Sequence, residues 1–347
     1  MTKLKWGVIG AGGIANRRTI PEGITRAKNA ELVAIMDVNE ARLKEISQKF
    51  GKVKYYLKEK DLLSDPDVQA VYIATPVCLH ARQAVMAAEV RKHVFCEKQM
   101  AMNIKECLEM ITACKKNKVK LGLAYMMRFN VYHRRIKEMI EKGDLGNLVM
   151  GRAQLSCWYP EIAGAWRQDP KQGGGGSLID MGSHGLDILE MFFGRTKEVT
   201  CLISNRAHKY PVEDTALVLT RFESGAIGIV DNCFSLPDAS SLNTLEVYGT
   251  KGSLIAKGTI GQGPGGELVA RLEKAIKGYE ARQARQESVE EKIEIPSYNT
   301  YQAEIEDFSE AVLTDRSPSF SGEDGLWNQK VVMACYESAG KKKTIGV

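Results

Sequence analysis

Six residues near the start of the chain have the types and the spacing that bind a dinucleotide. They form the run Gly10-Ala11-Gly12-Gly13-Ile14-Ala15, which fits the pattern G-x-G-x-x-A and follows a short apolar stretch. In such a run the first glycine permits a tight turn from strand to helix. The second glycine lets a pyrophosphate approach the backbone, and the alanine lets the helix pack close to the sheet. The phosphates then lie at a helix N-terminus, where N–H groups and the dipole favour negative charge.

Asp37 is a second feature typical of a dinucleotide site, because it directly follows the next apolar run. Its carboxylate can accept both hydrogen bonds of an adenosine ribose diol, and it would repel a 2′-phosphate. The alternative is a glycine-rich turn in another kind of α/β protein. The strand before the glycines, the helix after them and the acid beyond favour a cofactor site. We therefore predict NAD as the cofactor, with NADP less favoured.

Three further segments carry side chains that could do chemistry. Two of them, residues 74–80 and 96–99, end the fourth and fifth predicted strands. The third begins with four glycines and continues to Asp180 and His184, which are four residues apart and would share one face of a helix. The glycines are not expected to serve packing, and they suit close approach of the backbone to a ligand. A buried polar pair, a surface lysine at Lys98 and a flexible glycine linker are the structural alternatives.

The elements that must position these residues alternate between strand and helix over the first 125 residues. Amphipathic stretches at 40–50, 81–88 and 104–117 separate apolar runs at 4–9, 32–36, 53–56, 70–74, 93–96 and 119–124. This alternation predicts a doubly wound parallel sheet, the Rossmann arrangement, with ligands at the carboxyl ends of its strands.

Beyond residue 125 the pattern changes to alternating runs joined by short turns, which predicts a large, mostly antiparallel sheet. The runs are 148–158, 199–206, 216–222, 226–233, 244–248 and 252–256. Helices are expected at 131–142, 177–193, 301–314 and 324–341, whereas the polar segment 258–292 has no clear pattern. We expect an α/β protein with a dinucleotide-binding domain at 1–125. An α+β domain at 126–347 would bind substrate and form a homodimer or homotetramer through its open sheet face.

Composition argues against several classes of protein. The formal net charge of +5 and the lack of a basic stripe with interleaved aromatic residues do not indicate a nucleic-acid partner. The sequence contains no run of about 18 apolar residues, so no membrane span is predicted. The first apolar run is too short and glycine-rich for a signal peptide. The eight cysteines form no C-x-x-C pair. They indicate buried thiols in a reducing cytoplasm rather than disulfides or a metal site.

Several motifs together resemble the Gfo/Idh/MocA oxidoreductases, such as glucose–fructose oxidoreductase and inositol dehydrogenases. The resemblance covers essentially the whole chain and rests on the first glycines, Ala74-Thr75-Pro76 with His80, Glu97-Lys98, Arg128-Phe129-Asn130, Trp166-Arg167, and Gly-Gly-Gly with Asp180 and His184. It implies cofactor contacts at Gly10, Gly12, Gly13, Ile14, Ala15, Asp37, Thr75, Pro76, His80, Glu97 and Lys98. It implies substrate contacts at Lys98, Arg128, Trp166, Arg167, Asp180 and His184.

By the same resemblance, Lys98, Asp180 and His184 form the catalytic set of a sugar or polyol dehydrogenase. His184 would take the hydroxyl proton as general base while a hydride leaves for nicotinamide. Lys98 would stabilise the developing alkoxide, and Asp180 would orient a neighbouring hydroxyl. Accounts of the family differ on whether the lysine or the histidine is the base.

Two positions depart from the family pattern near the predicted nicotinamide. Glu-Lys is usually followed by proline, often after a cis bond, whereas this chain has Gln99. Thr-Pro is often followed by asparagine, whereas this chain has Val77. Because a cis bond before a non-proline residue costs about 2.5–4 kcal/mol, we expect the Lys98–Gln99 bond to be trans.

Two other functions are compatible with the same motifs. Transient oxidation of a sugar hydroxyl to a ketone acidifies the neighbouring C–H and permits elimination, so the protein could cleave glycosides with its cofactor recycled. The same fold is also used by a transcriptional co-regulator, so a non-catalytic sugar or nucleotide sensor is the third candidate. The presence of Lys98, Asp180 and His184 favours an enzyme, whereas Gln99 keeps the sensor open.

Overall fold

The computed structural model describes residues 2–273 and 290–347, which form two compact units. The first unit contains the residues up to Phe129 together with Gly164–Gly175 and Tyr298–Lys330. The second contains Asn130–Ala163, the described part of Gly176–Ser297, and Val331–Val347. Each unit is therefore assembled from segments that are distant in sequence.

A six-stranded parallel sheet forms the centre of the first unit. Its strands are β1 (Leu4–Ile9), β2 (Ala30–Met36), β3 (Lys54–Tyr56), β4 (Ala70–Ile73), β5 (His93–Glu97) and β6 (Leu121–Ala124). The strand order is β3-β2-β1-β4-β5-β6, so it reverses between β1 and β4. The predicted doubly wound sheet is confirmed, and the crevice at such a reversal is where α/β sheets bind ligands.

The described α-helices are α1 (Glu40–Lys49), α2 (Glu59–Leu63), α3 (Val77–Glu89), α4 (Ile104–Lys116), α5 (Val131–Glu141), α6 (Pro170–Gly173), α7 (Ser183–Phe193), α8 (Thr300–Leu313) and α9 (Gly322–Lys341). A kinked π-helical segment, Ala11–Ile24, follows β1. Asparagine side chains begin α1 and α4: Asn39 and Asn103 each accept a backbone N–H of the first turn. Across residues 2–273 and 290–347, no helix has both the length and the apolar character that a membrane crossing requires.

Aromatic packing fixes α8 against one face of the parallel sheet. The ring centroid of Phe308 lies 4.9 Å from that of Phe95 on β5 and 5.5 Å from that of Trp6 on β1. The Trp6 indole N–H also donates to Ser309 Oγ at 3.1 Å. Because each aromatic side chain buries about 150–250 Å², this contact holds together elements that are 303 positions apart.

The second unit is built on a nine-stranded sheet. Its strands are β7 (Leu148–Ser156), β8 (Thr196–Ser204), β9 (Thr215–Phe222), β10 (Ile227–Cys233), β11 (Thr244–Gly249), β12 (Gly252–Lys257), β13 (Glu267–Leu272), β14 (Glu291–Lys292) and β15 (Ile345–Gly346). The order is β14-β13-β12-β11-β7-β10-β9-β8-β15. Only β7 and β10 pair in parallel among these described strands. The predicted antiparallel sheet is confirmed, and it takes β13 and β14 from the segment without a clear pattern, of which residues 274–289 lie outside the description.

Helix α7 covers one face of this sheet, and the strands alternate between that face and an open one. A Cβ added to Gly151 of β7 would lie 2.5 Å from the Phe193 ring of α7, so the missing side chain lets helix and sheet approach closely. Along β9, Val218 is fully buried while its neighbours Leu217 and Leu219 are exposed. The period of two therefore leaves apolar side chains on the open face.

Candidate active site

The turn after β1 requires glycine at its first position. Gly10 has φ 88° and ψ 47°, in the left-handed region, and its N–H donates to the Met36 carbonyl at 2.9 Å. A Cβ at Gly10 would lie 2.7 Å from the carbonyl oxygen of Ala74, just beyond β4. A side chain here would therefore be strained and would collide with the neighbouring strand end.

The carboxylate of Asp37 folds back onto this glycine loop. Oδ2 accepts the Gly12 N–H at 2.7 Å, and Oδ1 accepts the Asn39 N–H at 3.1 Å. A Cβ at Gly12 would meet the side chains of Asp37 and Arg42 at 2.7–2.8 Å, whereas a Cβ at Gly13 would meet nothing within 4 Å. We expected the pyrophosphate to approach Gly12, but the open space lies at Gly13, because the two side chains fill the space at Gly12.

These residues fit a dinucleotide. The open space at half-buried Gly13, at the kink near the start of the helical segment Ala11–Ile24, would let backbone N–H groups donate to phosphate oxygens. The half-buried Asp37 carboxylate keeps further acceptor capacity for ribose hydroxyls. Ala15 is fully buried in the core and Ile14 is half-buried, which agrees with the expected close packing of this segment on the sheet.

His80 connects the segment after β4 with the segment after β5. Pro76 begins α3, and the Thr75 hydroxyl donates to Gln83 Oε1 at 2.6 Å. His80 is 1% exposed, with Nδ1 2.8 Å from the Gln99 carbonyl oxygen and Nε2 2.9 Å from that of Thr75. Burial lowers the pKa of His80, whereas hydrogen bonds with the backbone at Thr75 and Gln99 oppose that decrease. This geometry gives His80 a positioning role, and its contact with a cofactor stays a prediction.

Glu97 and Lys98 lie at the carboxyl end of β5. Glu97 Oε1 accepts the Tyr72 hydroxyl, and Oε2 accepts the backbone N–H of Lys98 at 3.2 Å. Burial raises the pKa of Glu97, whereas the Tyr72 hydrogen bond and the positive charges of Lys98 and Arg167 oppose that rise. Lys98 therefore leaves the sheet beside a partly buried carboxyl group.

The Lys98–Gln99 peptide bond is cis, so the expectation of a trans bond is wrong. Gln99 is 3% exposed, and its carbonyl oxygen lies against the His80 ring. On the other side, the Lys98 amide is held by the Glu97 carboxyl group. Contacts on both sides, rather than a proline ring, therefore define the backbone at this position.

The other candidate substrate contacts of the first unit lie on short 3₁₀ turns. The Arg128 guanidinium lies over the Phe320 ring, 4.5 Å from its centroid, and that of Arg167 lies 4.2 Å from the centroid of Trp166. Stacking of this kind restricts each guanidinium plane. Arg167 also lies within electrostatic reach of Glu97, which brings it close to the carboxyl end of β5.

Asp180 and His184 lie in one continuous helical segment of the second unit. The π-helical turn Leu178–Gly182 carries Asp180 and passes directly into α7, whose second residue is His184. The Asp180 N–H donates to the Gly176 carbonyl at 3.0 Å, and His184 is 8% exposed. The helix predicted over 177–193 is therefore present, and it carries both residues.

Glu213 holds the start of this helical segment, and we did not predict it. Its Oε1 accepts the N–H groups of Gly176 and Leu178 at 3.0 and 2.9 Å and the Tyr336 hydroxyl at 2.8 Å. Burial raises the pKa of Glu213. A Cβ at Gly176 would lie 2.0 Å from the Glu213 carbonyl oxygen, so the expectation that these glycines do not serve packing is wrong at this position. The available sequence signal was the acidic pair Glu213-Asp214 just before a predicted strand.

The predicted residues fall into two sets. Those of the first unit are Gly10 to Ala15, Asp37, Thr75, Pro76, His80, Glu97, Lys98, Arg128, Trp166 and Arg167. Asp180 and His184 belong to the second unit. The first set offers a nucleotide cradle and cations, and the second offers a carboxylate and an imidazole suited to proton transfer.

Comparison with known proteins decides the family. Residues 4–125 match the model of an oxidoreductase family with an NAD-binding Rossmann fold, and residues 133–255 match the GFO/IDH/MocA C-terminal domain. The chain is 30% identical to 1,5-anhydro-D-fructose reductase of Ensifer adhaerens, over 96% of either chain. It belongs to the Gfo/Idh/MocA oxidoreductase family. This Gfo/Idh/MocA protein is also 28% identical to myo-inositol 2-dehydrogenase of Thermotoga maritima, over 99% of this chain and 98% of the relative.

Solved structures share the fold of this Gfo/Idh/MocA protein. Aldose-aldose oxidoreductase of Caulobacter crescentus, complexed with glycerol, has a TM-score of 0.88 and 26% identity, covering 99% of this chain and 100% of that chain. Levoglucosan dehydrogenase, in complex with NADH and levoglucosan, has a TM-score of 0.85 and 24% identity, covering 100% of each chain. The family inferred from the motifs is confirmed, and the protein is an oxidoreductase with an NAD-binding Rossmann fold.

Replacing Glu213 tests its role at the start of the helix that carries Asp180. Glu213→Ala should lower the free energy of unfolding by at least about 1–3 kcal/mol, because buried donors lose their acceptor. Glu213→Gln keeps an acceptor and should cost less. Since the folded-state pKa of Glu213 is raised, the wild type should lose stability relative to Glu213→Gln as pH rises above about 4.5.

Urea unfolding followed by circular dichroism at several pH values measures both effects. Glu223→Ala, in an exposed turn, is the control and should change stability by less than about 0.5 kcal/mol. An unchanged stability of Glu213→Ala would contradict the assigned role.

Proposed function

We propose that this protein is an NAD-dependent dehydrogenase that transfers a hydride between nicotinamide and a hydroxyl-bearing carbon of a sugar, cyclic polyol or glycoside. The observation that carries the proposal is the cradle beyond β1 and β2. There the position of a Cβ at Gly13 has no atom within 4 Å, and the Gly12 N–H donates to Asp37 Oδ2 at 2.7 Å. The names of the relatives, a sugar-derived ketone reductase and an inositol dehydrogenase, support the substrate class.

In this proposal three side chains act on one hydroxyl-bearing substrate. When bound, the oxidised cofactor accepts the hydride from the carbon. His184 takes the hydroxyl proton, because a neutral imidazole can accept a proton near neutral pH. The Lys98 ammonium donates a hydrogen bond to the same oxygen and stabilises its developing negative charge. Asp180 accepts a hydrogen bond from a neighbouring hydroxyl and thereby orients the substrate.

Residues 1–125 would hold the cofactor, and residues 126–347 would hold most of the substrate. Arg128, Trp166 and Arg167 would add substrate contacts, as the family resemblance implies, and ring stacking restricts the plane of each guanidinium group. Cytoplasm is the proposed location. It is supported by the eight cysteines, which form no disulfide in the described part of the chain.

A screen of sugars, polyols and glycosides with NAD⁺ tests the proposed function, with the near-ultraviolet absorbance of NADH as the readout. Net NADH formation with one class of substrate supports a dehydrogenase. Cleavage of a glycoside without net NADH supports the lyase-like alternative. Binding of sugar or nucleotide without any turnover supports a sensor and contradicts the proposal.

Replacing the acting side chains should affect the chemical step far more than cofactor binding. Lys98→Ala and His184→Ala should each reduce turnover by about 10²–10⁴-fold. The dissociation constant of NADH should change by less than about threefold, because the glycine loop and Asp37, rather than these two side chains, are proposed to supply most of the nucleotide contacts. Stopped-flow kinetics and NADH fluorescence titration measure the two quantities, with the exposed Lys105→Ala as a control. Near-wild-type turnover in either variant would exclude the proposed role of that residue.

Asp37 should make the protein prefer NAD over NADP, since a 2′-phosphate would meet its carboxylate. Arg42 reaches the same point of the glycine loop, which would reduce this preference but not reverse it. We expect NADH to bind at least about tenfold more tightly than NADPH, and Asp37→Ala to lose most of this difference. Fluorescence titration of both cofactors decides it, with the exposed Asp61→Ala as the matched control. Tighter binding of NADPH by the wild type would contradict the assignment.

We also propose a homodimer or homotetramer formed through the open face of the nine-stranded sheet. Leu202, Leu217, Leu219 and Ile227 of neighbouring strands expose 40–67% of their surface there. Leu219→Glu would bury a charge in the interface and should shift the mass in analytical ultracentrifugation toward the monomer. Leu313→Glu, at an exposed position of α8, should leave the mass unchanged. A monomeric wild type would refute the proposal.

A further inference from the structure

Two carboxyl groups meet on one face of the parallel sheet, behind the carboxyl end of β5. Glu97 lies two residues beyond Phe95 on β5, and Glu304 lies one turn before Phe308 on α8. The Phe95 and Phe308 rings are in contact. Helix α8 runs antiparallel to the strands, since the Asp315 carbonyl just beyond its end accepts a hydrogen bond at 3.1 Å from Lys120, which precedes β6. Two strand residues span about 6.6 Å and four helical residues about 6 Å, so these matching offsets bring Glu304 near Glu97. The two carboxyl groups interact electrostatically.

The two groups differ in their hydrogen bonds. Glu97 accepts the Tyr72 hydroxyl, which in turn accepts the Thr19 hydroxyl at 2.9 Å, and it also accepts the Lys98 amide. Glu304 is 1% exposed, and neither of its carboxyl oxygens has a hydrogen-bond partner among the described residues. A buried carboxylate without donors next to a like charge is strongly disfavoured. Glu97 is therefore the ionised member of the pair and Glu304 the protonated one.

Groups on several elements face this pair. Burial raises the pKa of both carboxyl groups, and the charge of Glu97 adds to the effect at Glu304. Tyr72 of β4 and Tyr301 of α8 present hydroxyls, and burial raises the pKa of each tyrosine, with a further rise from the charge of Glu97. The facing charged groups are Lys98 and Arg167, which act on Glu97, and Arg18 and Glu22, which act on Tyr301. The positive charges of Lys98 and Arg167 favour ionisation of Glu97 rather than of Glu304.

We propose that Glu97 and Glu304 form a proton-binding site that is linked to the charge of the bound cofactor, so that it holds more protons with NADH than with NAD⁺. This inference rests on the proposed function, because it requires nicotinamide near the carboxyl ends of β4 and β5. The oxidised ring carries a positive charge that favours ionised Glu97, and the reduced ring is neutral. Oxidation of a hydroxyl releases one hydride and one proton. As NAD⁺ becomes NADH, the pair would bind, on average, a fraction of one additional proton.

Thermodynamic linkage makes this site measurable without a substrate. If the pair binds more protons in the NADH complex, the affinity for NADH must increase relative to the affinity for NAD⁺ as pH falls. The ratio of the two dissociation constants should change by up to about tenfold per pH unit, at a pH above the ordinary range of glutamate, because the pKa of each carboxyl group is raised. NADH is titrated by fluorescence, and NAD⁺ by competition against it.

Glu304→Gln should make this ratio independent of pH in the same range, because the variant lacks the carboxyl group that would lose its proton beside ionised Glu97. Glu310→Gln, at an exposed position of α8, should keep the wild-type slope. Tyr72→Phe removes a donor to ionised Glu97 and should move the slope to higher pH, which tests the site even if Glu304→Gln does not fold.

If the wild type binds each cofactor but the ratio of the two dissociation constants does not depend on pH, this inference is overturned and the proposed function is not. A slope that persists in Glu304→Gln but disappears in Lys98→Met would assign the proton to the lysine and would also overturn it. Failure of both cofactors to bind would contradict the proposed function itself, and with it this inference.

Discussion

The turn at Gly10 is the constraint on which the nucleotide-binding half depends. The backbone there is left-handed, and a Cβ would lie 2.7 Å from the carbonyl oxygen of Ala74. Only a residue without a side chain lets β1 and β4 lie side by side and still turns the chain into the segment that begins at Ala11. The strand order reverses between these two strands, so the same turn opens the crevice beside Gly13 and Asp37.

Carboxyl groups lie beside the proposed catalytic residues of each unit, and they differ in their hydrogen bonds. Glu213 is satisfied by three donors and holds the start of the helix that carries Asp180. Glu97 accepts the Lys98 amide and the Tyr72 hydroxyl, whereas Glu304 is buried and has no donor in the described part of the chain. A carboxyl group with several donors supports structure, and one with none must hold a proton. Glu304 is the second case, and the proton that it holds is the basis of the proposed proton-binding site.

Much of the fold could be predicted from the sequence, because it depends on local patterns. The apolar run 4–9 and its following glycine predicted β1 with the bounds Leu4–Ile9, and the period-two pattern predicted the open sheet face. The strands in segment 258–292 were not predicted, because β13 mixes charged and apolar residues and lies next to the short edge strand β14.

The site was predictable where residue type and spacing are informative, as for the glycine loop and the helix that carries Asp180 and His184. The contacts that hold it were not, because they join distant segments. Glu304 is 207 positions from Glu97, and a glutamate on the buried face of α8 breaks the expected pattern. The cis bond before Gln99 was also mispredicted, since the sequence does not show that His80, on a different helix, contacts the Gln99 carbonyl oxygen.

Transfer of deuterium from substrate carbon to the cofactor tests the central claim most directly. The protein would be mixed with NAD⁺ and a panel of sugars and polyols deuterated at their hydroxyl-bearing carbons, and the cofactor would then be analysed by mass spectrometry. The account predicts singly deuterated NADH from at least one member of the panel, and none when Lys98→Ala replaces the wild type at the same reaction time. Tight NADH binding without deuterium transfer from any sugar, polyol or glycoside would contradict it.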